Sequence, residues 1–170
     1  MLIRYYHPAA VGQMVRLFYN TIHAVNRRDY TLEQVNAWAP TVPNQVRWLA
    51  RYSSRIAFVA DDEGIIAGFA ELELNGHIDC FYCHHTYQGQ GVGRQLYQRI
   101  EQEANLLDLT RLFVEVSITA QPFFERMGFQ TLRDNKVLIN DVRLTNFLME
   151  KVIAQLGEID KISKPDKVAL

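Results

Sequence analysis

Residues 87–94 read Tyr-Gln-Gly-Gln-Gly-Val-Gly-Arg, with glycine at 89, 91 and 93 between a run of strand character and an amphipathic helical pattern. Glycine adopts left-handed backbone without a Cβ penalty, so the chain can turn sharply there and bring main-chain atoms close to a ligand. The N–H groups of the first helical turn lack partners within the helix and carry the positive end of its dipole, which makes such a junction a cradle for phosphate. Two familiar phosphate loops are excluded by counting. A dinucleotide fingerprint starting at Gly89 needs glycine or alanine at 94, where Arg94 stands, and one starting at Gly91 needs it at Leu96. A P-loop needs lysine before its Ser or Thr, and the turn has no lysine.

The flanking chain alternates between two periods. Val11, Met14, Val15, Phe18, Ile22 and Val25 recur at helical spacing after Pro8, and Thr31-Leu32-Glu33-Gln34 has the form of a capping box opening a helix toward Trp38. Residues 43–52 offer one or two further helical turns, with Val46, Trp48 and Leu49 as packing residues. From Arg55 the pattern becomes that of strands, Ile56–Ala60, Ile65–Leu74 and His77–Cys83, separated by Asp61-Asp62-Glu63-Gly64 and by Asn75-Gly76, a hairpin signal. Val92, Leu96, Ile100 and Ala104 mark the helix after the glycine turn, and Leu112–Val116 reads as a buried strand. Thr119 is placed to cap a helix carrying Phe123, Phe124 and Met127 that Gly128 ends; a hairpin about Asn140-Asp141 closes the core. The pattern predicts an α/β (α+β) single domain over 1–151, with a central, mixed but mostly antiparallel seven-stranded sheet flanked by about four helices, then a C-terminal helix or loose tail over 152–170.

Charge narrows the partners. Eighteen basic and nineteen acidic residues give a net charge of -1, so neither nucleic acid nor an anionic membrane is expected to be bound by bulk charge. No apolar run is long enough to cross a bilayer, and a cytoplasmic location is expected. The two cysteines, Cys80 and Cys83, are expected to be reduced there. Cys80-x-x-Cys83-His84 also spells a haem-attachment pattern, but residues three apart on a strand face opposite sides about 10 Å apart, so no metal is expected.

Gln88, Gly91 and Gly93 match the Gln/Arg-x-x-Gly-x-Gly/Ala pattern of the GNAT superfamily of N-acetyltransferases, which the sequence resembles across roughly residues 2–151. Ala120-Gln-Pro-Phe-Phe-Glu-Arg-Met-Gly-Phe129 resembles the family's Ala-x-x-Phe-Tyr-x-x-x-Gly-Phe segment, and the order of elements agrees. The resemblance implies acetyl-coenzyme A as acetyl donor, its pyrophosphate on the backbone of Gln88, Gly89, Gln90, Gly91, Val92, Gly93 and Arg94. The fourth and fifth strands would splay, so that Phe81 and Cys83 receive the pantetheine arm and the Cys83 N–H polarises the thioester.

An amine nucleophile must lose a proton, so a base is expected beside the splay. Counting back from Gln88, His77 falls where the histone-modifying branch keeps its glutamate base, and alternation places His77, Asp79, Phe81 and Cys83 on one face. His77 is therefore the first candidate base, with Asp79 to orient it and Glu71 and Glu73 as competitors. Phe124 stands where the family often has a tyrosine acid, and Ser117 where many members have an asparagine that contacts coenzyme A. Tyr82, Tyr87 or another hydroxyl is left to serve the departing thiol. The family recognises acceptors through its first helices and nearby loops, which here offer His23, Asp29, Tyr30 and Trp38. A small-molecule or peptide amine is the expected acceptor; a homodimer is left open. The alternative is an acyl-coenzyme A sensor or interaction protein of the same fold that has lost catalysis.

Overall fold

The computed structural model describes residues 1–52 and 54–153, so the expected tail from residue 154 onward lies outside the described residues. Strand β1 (Leu2–Tyr5) is followed by α1 (Val11–Ala24), α2 (Leu32–Trp38) and α3 (Gln45–Tyr52). Then come β2 (Ile56–Asp62), β3 (Ile65–Leu72), β4 (Phe81–Cys83), α4 (Val92–Leu106), β5 (Arg111–Ser117), α5 (Gln121–Arg126), β6 (Gln130–Ile139) and β7 (Val142–Val152). Among the described residues there are thus seven strands and five α-helices, the helix beyond the expected number being α3.

Local chemistry explains most boundaries. Thr31 and Gln34 form the reciprocal capping box at the start of α2. Pro8 opens a 3₁₀ turn, Pro8–Ala10, before α1 rather than the α-helix itself. Glu63-Gly64 and Asn140-Asp141 all have positive φ, as two-residue hairpin loops that match the strand twist require. Thr119 does not cap α5: its hydroxyl donates to Asp29, and the Ser117 Oγ instead accepts the Ala120 N–H at 3.1 Å.

The strands form an antiparallel four-stranded sheet in the order β1-β2-β3-β4 and a three-stranded sheet in the order β5-β7-β6. A single parallel bridge, His77 to Phe113, joins them, with the Phe113 N–H on the Gly76 carbonyl at 3.0 Å and the Ile78 N–H on the Phe113 carbonyl at 2.9 Å. Gly76 makes this junction feasible. Its φ is +90°, and a Cβ there would run into the Arg111 carbonyl oxygen. Asn75 keeps negative φ, so the hairpin is a three-residue loop closed by glycine rather than the expected two-residue Asn-Gly turn.

The expected strand His77–Cys83 is also corrected. Glu73 donates to the His77 carbonyl and Glu71 to the Cys80 carbonyl, so two residues of advance along the β3 side are matched by three on the other. That extra residue is a bulge, and it reverses the alternation. Ile78 joins Phe81 and Cys83 in the core under α4, while Cys80 packs under α1 and α3. The predicted common face of His77, Asp79, Phe81 and Cys83 is therefore broken.

Three apolar clusters hold the layers. The largest packs Val92, Leu96 and Ile100 of α4 and Phe124 of α5 against Ala70, Leu112, Val114 and Met149 on one face of both sheets. Gly68 lets α4 approach, since a Cβ there would lie 2.9 Å from Leu96 Cδ1 and 3.0 Å from Val92 Cγ1. On the other face, Met14 and Leu17 of α1 cover β2 and β3, and Ile22, Tyr30 and Val35 cover Leu144 of β7. Burial of this extent accounts for most of the driving force, at about 25 cal/mol per Å² of apolar surface. Beyond the His77–Phe113 bridge no ladder among the described residues pairs β4 with β5, so the sheets diverge and leave a gap.

Candidate active site

The gap opens on the N-terminus of α4. Gly91 is the N-cap with φ +84° and Gly89 precedes it at φ +74°, so the chain enters the helix through left-handed backbone and no side chain caps the first turn. Gly93 faces the α5 side: a Cβ there would lie 3.1 Å from Phe123 Cε2 and 3.5 Å from Cys83 Sγ. The side chains of Gln88 and Gln90 bind back to the Cys83 and Thr86 carbonyls at 2.9 and 2.8 Å and stiffen the loop.

Strand β4 presents half of its main chain to the gap. The N–H of Glu71 donates to the Cys80 carbonyl and that of His84 to the Ala67 carbonyl, so Cys80, Tyr82 and His84 bond toward β3. By the alternation of an antiparallel ladder, the N–H and C=O groups of Phe81 and Cys83 point the other way, toward β5. The Cys83 carbonyl there accepts from the Thr21 hydroxyl at 3.0 Å and from Gln88. Burial pushes the Cys83 thiol up to about 12, so it stays protonated at neutral pH.

Two cavities meet over the gap. The larger, about 610 Å³, is lined by Phe81, Cys83, Gln88, Gly89, Gly91, Val92, Gly93, Arg94, Ser117 and Phe124, which is every residue of the expected donor site except Gln90. Arg28, Arg94 and Arg126 also line it, and among the described residues none of the three is in an ion pair. The smaller cavity, about 290 Å³, lies against Phe18, Tyr30, Leu144 and Asn146. Trp38, Asp79, Tyr82, Glu115 and Ser117 border both.

The candidate bases are dispersed. Glu71 is fully buried and accepts from Arg51 at 3.0 Å, Arg55 at 3.1 Å and the Tyr52 hydroxyl at 2.7 Å. Burial and the adjacent Glu71 carboxylate raise the Tyr52 hydroxyl far above its usual range. Asp79 does not orient His77; it pairs with Arg51 at 2.6 Å and with Arg55. Glu73 binds Arg55 at 3.1 Å. His77 stacks on Phe113, with ring centroids 4.8 Å apart, and its Nε2 lies 2.6 Å from Glu115 Oε2. Of these groups Asp79 and Glu115 reach the cavities, whereas Glu71, Glu73 and His77 stand behind the walls.

Glu115 escaped the sequence reading although a signal was present. Along Leu112-Phe113-Val114-Glu115-Val116-Ser117, residues 112, 114 and 116 are buried and Glu115 falls on the opposite face, toward the gap. Asn26, buried and donating to Ser117 Oγ at 3.3 Å, was likewise missed, because only tertiary contact brings the end of α1 to β5. Among the expected acceptor contacts, Trp38 and Tyr30 line the smaller cavity. His23 bonds the Ala39 carbonyl and Asp29 the Thr119 hydroxyl, and neither reaches the cavities. Phe124 is 1% exposed among Phe81, Phe123 and Phe129 and carries no proton to donate; the Tyr87 hydroxyl is engaged by Asp62 at 3.0 Å. Among the described residues no three His, Cys, Asp or Glu side chains gather as a metal site, and no helix is long and apolar enough to cross a membrane.

A sheet splayed over an uncapped helix N-terminus, with two cavities meeting at the gap, defines an acetyltransferase fold. The profile of the acetyltransferase (GNAT) domain matches residues 26–151. The uncharacterized N-acetyltransferase YafP of Escherichia coli K12 is 29% identical over 147 residues, covering 86% of this chain and 93% of its own. A solved GCN5-related N-acetyltransferase from Rhodopseudomonas palustris is 32% identical, with TM-score 0.84 over 89% of this chain and 95% of that one. The fold is shared with yncA, an acetyltransferase from Salmonella typhimurium solved with its cofactor acetyl-CoA, at TM-score 0.72 and 16% identity over 99% of each chain. The chain belongs to the GNAT acetyltransferase family and is an N-acetyltransferase.

Proposed function

We propose that this enzyme takes acetyl-CoA as donor and moves the acetyl group directly to a primary amine in the gap between β4 and β5. The observation that carries the reading is the one-sided pairing of β4 beside the uncapped α4 N-terminus. Amides of the first α4 turn and of Gln88–Arg94, apart from that of Gln90, which donates to the Tyr87 carbonyl, suit a diphosphate. The guanidinium groups of Arg28, Arg94 and Arg126 add positive charge around the same anion. The main-chain edge of Phe81 and the Cys83 N–H suit an extended amide-bearing arm as an added strand, the Cys83 carbonyl being taken by Thr21 and Gln88, and the Cys83 N–H is aimed where a carbonyl oxygen would gain charge. When bound, acetyl-CoA supplies the activated acetyl thioester.

Glu115 takes the amine proton in this reading, because it borders both cavities, and His77 behind it holds the carboxylate and shares the charge. A coenzyme A thiol, with pKa about 8.5, leaves without an obligatory acid, which suits a site whose tyrosine position is Phe124. Tyr82 and Ser117 border both cavities and are the hydroxyls at hand; burial raises the Tyr82 pKa well above the usual value.

The test pairs calorimetric titration of acetyl-CoA with thiol release over a panel of amines. Saturable donor binding and acceptor-dependent thiol release are expected. Tight binding with no release under any amine would replace the transferase with a sensor of acyl-CoA, and absence of binding would end both readings.

A further inference from the structure

The two cavities differ in the charge they present. Both are bordered by Asp79 and Glu115, but the larger also has three arginines, whereas the described lining of the smaller holds no lysine, arginine or histidine. The charged groups bonded to those two acids, directly or through a shared arginine, can be named, and on the far wall Lys136 donates to Thr145 at 3.1 Å. Arg51 and Arg55 lie behind Asp79 and are shared with Glu71 and Glu73, and His77 lies behind Glu115. Four carboxylates therefore face two guanidinium groups and one imidazole, and the balance favours a cation in the cavity. Most of the remaining wall is aromatic or branched apolar, Phe18, Trp38, Tyr82, Ile139 and Leu144 among it, with Ser117 and Thr145 as hydroxyls. Asn146 also lines it, and its side-chain oxygen is buried without a hydrogen-bond partner among the described residues.

We propose that this cavity seats the acceptor and selects a small primary amine bearing an aromatic or branched apolar group and no carboxylate, a reading that rests on the acetyl transfer proposed above. Its volume of about 290 Å³ lies at the bottom of the usual range for small-molecule sites, room for a ring on a short chain but not for a folded peptide. The ring packs among Phe18, Trp38 and Tyr82, and the ammonium turns to the border with the larger cavity, where Asp79 and Glu115 stand. Free amino acids are disfavoured because their carboxylate meets Asp79 and Glu115 at the border and no basic side chain in the described lining.

Phenethylamine and phenylalanine, which differ by one carboxylate, are titrated into the free and coenzyme A-loaded enzyme and compared as acceptors by thiol release. Phenethylamine is expected to win by at least about tenfold in both Kd and kcat/KM. Val137→Trp fills the smaller cavity from β6 without touching the larger, and is expected to abolish phenethylamine binding while acetyl-CoA still binds, which also shows that the variant is folded. Phenethylamine binding that Val137→Trp blocks supports the seat even if no thiol is released, in which case only the transfer falls. Equal or better use of phenylalanine overturns the selectivity and leaves the transfer standing. Failure of phenethylamine to bind either form, or binding unaltered by Val137→Trp, overturns the seat itself.

Discussion

Glu115 of β5 and His77 of the bulged segment before β4 meet at 2.6 Å across the one bridge between the two sheets among the described residues, 38 residues apart in sequence. His77 Nδ1 also faces Glu73 at 3.5 Å, so the ring is held between two carboxylates and flat against Phe113. The imidazole thus fixes the side chain that reaches the cleft.

Glu115→Gln keeps the shape and removes the proposed base. The expected result is a fall in kcat of about 10²-fold or more with the acetyl-CoA affinity unchanged. His77→Gln is expected to cost less and to move the pH profile of kcat, since His77 acts through Glu115. Steady-state kinetics from pH 6 to 9 decide it; an unaltered profile in Glu115→Gln removes that residue from the reaction.

Gly91→Val places a β-branched residue at φ +84° on the rim of the larger cavity. Strain of about 1–2 kcal/mol is expected, too little to unfold the domain, together with at least a tenfold loss of acetyl-CoA affinity. Circular dichroism and calorimetry read the two effects separately, and unchanged affinity would count against the cradle.

Gly76→Ala puts a methyl group against the Arg111 carbonyl at the junction of the sheets, with φ +90° besides. A stability loss of at least about 2 kcal/mol is expected in urea unfolding. A variant as stable as the parent would mean that the sheets do not depend on this close approach.

Glu71→Gln leaves Arg51 and Arg55 short of a buried partner. Breaking a buried ion pair from one side costs about 3–5 kcal/mol, so this carboxylate is expected to matter for stability and its variant to unfold at much lower urea. Were Glu71→Gln instead stable and inactive, the base would have to be sought there.

Cys83, held up to about 12 by burial, is protonated through the physiological range. Iodoacetamide at pH 8 is therefore expected to leave it unmodified, and modification should rise only as the pH approaches that value. Rapid alkylation at pH 8, read by mass spectrometry, would show that the β4 edge is more open than its packing indicates.

The elements and the glycine turn into α4 were legible because their causes are local. The capping box of Thr31 and Gln34, the hairpin loop at Asn140-Asp141 and the glycines at 89 and 91 act within a few residues of chain, so side-chain type and spacing reveal them. The bulge between His77 and Cys80 was not legible, because it answers to the register that β3 and Phe113 impose. One additional residue there turned Asp79 to Arg51 and Arg55 rather than to His77.

The sequence by itself determined that a strand runs through a glycine turn into an uncapped helix, and hence that an anion can be held there, because backbone freedom and unpaired helix amides belong to the local chain. Tertiary structure alone decided which carboxylate reaches the cleft and what lines the acceptor's side. Those answers depend on two sheets meeting at one bridge and then diverging, which brings Glu115, Trp38 and Asn146 together from segments that share no local pattern.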